Sequence, residues 1–196
     1  PTTNKAFRGT YAGVDLAISQ KDTADCTAIV TARIFGRCEY FRIFITPYFI
    51  NKRLTFPAQV DTLKMMRNTE LSGRNDELFV EGVGYQDALP QILETQGIKA
   101  ESVKVHADKR TRLALTSTLI KNGTILFPDK GCEELIEQLV GFGVEKHDDL
   151  ADAFSLLIHK TVEMHKNEGT IIMFFLCGDH DSTIYHSTYH DVLKDH

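Results

Sequence analysis

Apolar positions along the chain follow two periods, and the change from one to the other divides it. Thr10 to Ala17 (TYAGVDLA) is almost continuously apolar, the pattern of a buried strand. A polar, turn-like stretch from Ser19 to Ala24 follows. Two β-rich runs come next, Cys26 to Phe35 (CTAIVTARIF) and Cys38 to Thr46 (CEYFRIFIT). Gly36-Arg37 between them carries a tight-hairpin signal, so the first three strands are expected as an antiparallel meander.

The period then lengthens. From Phe56 to Thr69, Val60, Leu63 and the Met65-Met66 pair recur at helical spacing on one face. Leu78 to Glu81 (LFVE) is a short buried strand ending at Gly82, and Tyr85 to Gln96 a helix stopped by Gly97. Ser102 to His106 is another strand, and Asp108 to Asn122 a helix with Gly123 at its stop. Thr124 to Phe127 reads as a strand, Cys132 to Phe142 and Asp148 to Lys166 as amphipathic helices. Hairpin strands followed by alternating helix and strand predict an α/β mixed sheet, antiparallel and then parallel, with helices on both faces.

Length and composition fit one domain: 196 residues, 42% hydrophobic and 25% charged. Residues 1–166 carry the regular pattern, and 167–196 form a tail that it does not place. The tail's apolar run from Thr170 to Cys177 is too short for a membrane span, and no secretory signal opens the chain. Its His186 and His190 are four apart, but a solvated terminal segment explains them better than a metal site. Cys26, Cys38, Cys132 and Cys177 form no CxxC pair and read as free thiols of a reducing cytosol. A net charge of −5 argues against a non-specific nucleic-acid coat protein, which is usually basic. A nuclease is compatible with it, because a carboxylate site lowers net charge while DNA contact needs only a local basic surface.

The chemistry lies in acids on apolar elements. Asp15 sits between Val14 and Leu16 in the first strand, where an ionised carboxylate is costly unless compensated. Glu81 ends a second apolar strand, with Gly82 and Gly84 leaving room for a ligand. If the two strands are parallel neighbours, both acids project at the carboxyl ends, where ligands collect in α/β sheets. Close carboxylates repel, and a divalent cation is the usual remedy. The third element is His147-Asp148-Asp149-Leu150-Ala151-Asp152, whose acids crowd one end of a helix. Each acid also has a plain alternative. Asp15 and Glu81 suit solvated strand ends, Asp148 an N-cap, Asp149 a first-turn acid, and Asp152 a polar stripe.

Taken in order, GVDLA, DCTAIVTA, FVEGVGYQ, ADKRTRLALT, GTILFP and HDDLADAF resemble the nuclease domain of phage terminase large subunits over roughly residues 8 to 165. The resemblance implies a ribonuclease H-like fold and a metal-dependent endonuclease that cuts concatemeric viral DNA at the start of packaging and again when the head is full. It implies metal ligation and catalysis by Asp15, Glu81, Asp148 and Asp149, with Asp152 at a position acidic in some relatives and Asp25 accessory. Hard carboxylates favour Mg²⁺ or Mn²⁺, two ions ~4 Å apart, which activate water and stabilise the leaving oxygen. Asp15 would bridge them, with Glu81 on one and Asp148 or Asp149 on the other. His147 is either an accessory to the site or an ordinary polar residue before the helix.

Lys109, Arg110 and Arg112 open a helix and are candidates to hold phosphates, or else form a solvated face. Lys104, Lys52, Arg53 and Arg74 could extend the contact. The expected partners are double-stranded DNA and, by resemblance, an N-terminal ATPase domain, a portal and a small terminase subunit, in the cytoplasm of an infected bacterium. No GxxxxGK[ST] phosphate loop occurs, which favours Pro1 lying at a boundary within a longer protein. Two other functions fit the same acids: a Holliday-junction resolvase or ribonuclease H, and a non-catalytic DNA-clamp or docking domain of a packaging motor.

Overall fold

The computed structural model describes residues 7–17, 26–37, 40–73, 76–82, 88–104, 109–141 and 148–165. Asp25, His147, Arg74 and the 167–196 tail lie outside them.

The strands are β1 (Phe7–Asp15), β2 (Thr27–Phe35), β3 (Arg42–Lys52), β4 (Glu77–Glu81), β5 (Glu101–Val103) and β6 (Ile125–Leu126). The helices are α1 (Phe56–Thr69), α2 (Ala88–Thr95), α3 (Lys109–Lys121), α4 (Glu133–Val140) and α5 (Asp149–His165). The strands form one mixed sheet in the order β5-β4-β1-β2-β3-β6. β1, β2 and β3 pair antiparallel, while β4 on β1, β5 on β4 and β6 on β3 are parallel. The expected mixed α/β sheet is therefore present.

Alternation along β1 assigns its side chains to two cores. Tyr11 joins β2 and β3 residues with Leu119 of α3, Leu135 of α4 and Leu150, Phe154 and Leu157 of α5. Ala12 and Val14 join the opposite cluster with Val60, Leu63 and Met66 of α1 and Leu93 of α2. Each fully buried Leu, Ile or Phe adds about 1.5–3 kcal/mol. Of the methionine pair, Met66 is buried and Met65 faces solvent. α1 starts where expected because Thr55 accepts from the Ala58 amide (3.4 Å) and Pro57 follows in the first turn.

Two expectations for the meander need correction. Phe35 pairs with Arg42, so the connection runs through 36–41 and is not a two-residue turn. Gly36, at φ +72°, and a hydrogen bond from Tyr40 N to Arg37 O (3.1 Å) turn the chain. β3 also continues past Thr46 to Lys52. Pro47, which lacks an amide donor, sits where the β2–β3 register shifts, so no ladder bond depends on it. Thr46 Oγ1 donates to Thr31 O (3.3 Å) and Thr31 Oγ1 to Tyr48 O (3.2 Å), knitting that irregularity.

Candidate active site

β1 and β4 are parallel neighbours, with Tyr11 level with Glu77 and Val14 with Val80. The next positions are Asp15 and Glu81, the last residues of their strands. Tyr11 and Phe79 meet edge-on at 5.8 Å on the α5 side of the sheet. Alternation carries Asp15 and Glu81 to that same side. Both are half-buried.

The third group of acids arrives on α5, which lies against β1 at Gly13. A Cβ there would fall on the Ala153 carbonyl oxygen and within 2.8 Å of Leu157 Cβ, so only a glycine permits the contact. One turn before Ala153 is Asp149, and Asp15 lies two residues beyond Gly13 on the face toward the helix. The start of α5 is fixed in three ways. Asp148 O accepts from Asp152 N (2.9 Å), which puts Asp148 at the cap position. Leu150 N donates to Gln138 Oε1 of α4 (2.9 Å). Asp149 Oδ2 accepts from Cys26 N (3.1 Å), tying the helix to the entry of β2. First-turn acids are also favoured by the positive end of the helix.

Asp152 is held differently. Arg112 Nη2 donates to its Oδ1 at 3.1 Å, and both side chains are about nine-tenths buried. This departs from the expectation that Arg112 faces phosphate: it is 6% exposed, drawn inward by a carboxylate that needs a counter-charge. Lys109 and Arg110 open α3, but their side chains lie outside the described residues. Three basic candidates do reach the acidic end of the sheet. Ala28 pairs with both Asp15 and Asn51, so Lys52 and Arg53 leave β3 at that end. Glu81 pairs with Val103, so Lys104 leaves β5 there too, and all three are exposed.

Gln138 and Gln59 were not singled out in the sequence, although each breaks an apolar stripe. Gln138 is buried beside Leu135, and Gln59 beside Val60. Gln59 Nε2 donates to Ala17 O (3.3 Å) and Thr27 Oγ1 (2.9 Å), joining the segment after β1 to the start of β2.

Hard oxygen donors from three elements fit a divalent cation. As they stand, no three His, Cys, Asp or Glu side chains among the described residues are grouped to hold one ion.

No protein-family model and no curated protein matches the sequence. Solved structures do match. The large terminase nuclease from thermophilic phage G20c with bound magnesium aligns at TM-score 0.55 and 16% identity over 77% of this chain and 80% of that one. The same nuclease with bound zinc aligns at TM-score 0.54 and 18% identity over the same shares. The Thermus phage P74-26 large terminase nuclease domain aligns at TM-score 0.50 and 16% identity over 76% and 77%. The fold is that of a large terminase nuclease domain. The terminase nuclease fold is ribonuclease H-like, as its antiparallel-then-parallel sheet shows. Among the described residues no helix is long and apolar enough to cross a membrane.

Proposed function

We propose that the chain is a metal-dependent DNA endonuclease, the nuclease part of a terminase that cuts concatemeric viral DNA during packaging. One observation supports this reading: in a fold like that of terminase nucleases, parallel neighbours β1 and β4 each end in an acid, and α5, with Asp149 and Asp152 in its first turn, packs on β1 at Gly13. Asp15, Glu81 and Asp148 or Asp149 would hold Mg²⁺ or Mn²⁺, two ions being the natural complement of so many acids. Such ions, when bound, activate water and stabilise charge on the phosphate and the leaving 3′ oxygen. The protein's own part is placement. Gly13 sets the height of α5 over β1, Gln138 fixes the start of the helix, and Cys26 N orients Asp149.

Lys52, Arg53 and Lys104, with Lys109 and Arg110 at the start of α3, would hold the duplex backbone. Phosphate contacts of this kind position DNA without reading its sequence. The neighbours' bound magnesium and zinc support the use of a divalent ion. The test is digestion of supercoiled plasmid with Mg²⁺, Mn²⁺ or EDTA by wild type and by Asp15→Asn. Cleavage should require the ion and fall more than about 100-fold in the variant. Cleavage in EDTA, or within a few-fold of wild type in Asp15→Asn, would overturn the assignment.

A further inference from the structure

Arg112 is a cation built into the acidic end of the fold. Its guanidinium has five N–H donors, yet among the described residues it makes a single hydrogen bond, from Nη2 to Asp152 Oδ1. Nε and Nη1 are buried with no partner among the described residues. A guanidinium packed only for structure gains most from a two-pronged contact with its carboxylate, or from backbone carbonyls on the remaining donors. This one is held mainly by charge. Its carboxylate belongs to the first turn of α5 and lies three residues from Asp149, so the two acids share a helix face.

We propose that Arg112 is a positioning residue that competes with the divalent ion for Asp152. The guanidinium and the metal are alternative partners of one carboxylate. This rests on the nuclease reading above and adds a residue to it. With Arg112 on Asp152, the first turn of α5 is neutralised by one charge and keeps its place without metal. When an ion is taken up, Asp152 turns toward it and the Arg112 contact opens. Arg112 thereby weakens metal binding and limits the collapse of α5 that repulsion among its acids would cause.

Calorimetry with MnCl₂ on the whole 196-residue chain separates this competition from mere support. Arg112→Gln should tighten Mn²⁺ binding about tenfold, within the range for coupled neighbours. In an Asp152→Asn background the same substitution should change affinity less than about twofold, because the contested carboxylate has gone. Unchanged or weaker Mn²⁺ binding in Arg112→Gln overturns the competition and leaves a structural ion pair.

Removing Arg112 deletes a buried ion pair and risks unfolding, so a second measurement uses wild type. The Arg112 Nε–H resonance, identified by its absence from Arg112→Lys, should move on titration with MgCl₂ and saturate with the calorimetric affinity. A resonance that stays in place while Mg²⁺ binds overturns the proposal on its own. Loss of Mn²⁺ binding in Asp15→Asn is the internal check on the site. If that variant binds as wild type does, the carboxylate centre itself is wrong, a result distinct from an unresponsive Arg112.

Discussion

The two ends of α5 bury polar groups in opposite ways. At the C-terminal end Lys160 and His165 find partners within the protein. Lys160 bonds Glu101 (2.8 Å) and Glu163 (2.9 Å). His165 lies parallel to the Tyr11 ring, 5.9 Å between centroids, with Nδ1 3.4 Å from Arg8 Nη2 and Nε2 3.1 Å from the Tyr11 hydroxyl. Arginine can only donate, so Nδ1 accepts and the ring proton sits on Nε2, donating to Tyr11. At the N-terminal end the first turn of α5 carries Asp149 and Asp152, Asp149 accepts from the Cys26 amide, and Arg112 pairs with Asp152. One end is tied by a lysine and a histidine, the other concentrates carboxylates on one helix turn. A concentration of acids on one turn marks a candidate functional end.

Substitutions that exchange effects between the ends test this contrast. The largest effect is expected from Glu81→Gln, which should lower plasmid cleavage more than about 100-fold. Its thermal stability should hold or rise, because removing one acid relieves repulsion. His165→Ala should do the reverse. It should cost about 3 kcal/mol in denaturant unfolding through a lost buried ring and its hydrogen bonds, with cleavage per folded molecule unchanged. If Glu81→Gln destabilises and His165→Ala silences cleavage, the contrast is wrong.

Gln138→Ala sharpens the comparison at its boundary. The Leu150 amide loses its acceptor, so stability should fall by about 1–2 kcal/mol, the range for a lost helix cap. Cleavage should fall by a smaller factor than in any carboxylate variant, since the acids remain. The smallest effect is electrostatic. Burial opposes the charge on Lys160, but Glu101 and Glu163 outweigh it and raise its pKa above the ordinary 10.5. A raised folded-state value means the contribution is complete below 10.5 and fades as pH rises through the folded value. Unfolding of wild type and Lys160→Met should therefore differ at neutral pH and converge only in strongly alkaline buffer.

Most of this architecture was legible because burial imposes period. The run around Val14, the helix from Phe56 to Thr69 and the acids on α5 all follow from alternation or helical spacing. β3 was cut short at Thr46 because Pro47 reads as a strand breaker, while the register shift that accommodates it is a property of two strands together. Asp15 and Glu81 could be suspected as acids in apolar strands, but their adjacency depends on a parallel pairing between distant segments. Arg112 was misjudged for a related reason. In sequence it belongs to a basic cluster with Lys109 and Arg110, and only folding shows that it faces inward toward Asp152. Burial also settles the thiol of Cys132. It is pushed up to about 11 by desolvation and by Glu133, in keeping with a free thiol.

The bare backbone at Gly13 has a consequence for tolerance to change. Because α5 rests on the strand itself and not on an intervening side chain, β1 serves as a common datum for both sets of acids. Variation among the apolar residues farther along α5 alters how tightly the helix is gripped, yet it leaves the seat of its first turn unmoved. The acidic end is thereby insulated from drift in the rest of the core, and a single methyl group at one position would remove that insulation.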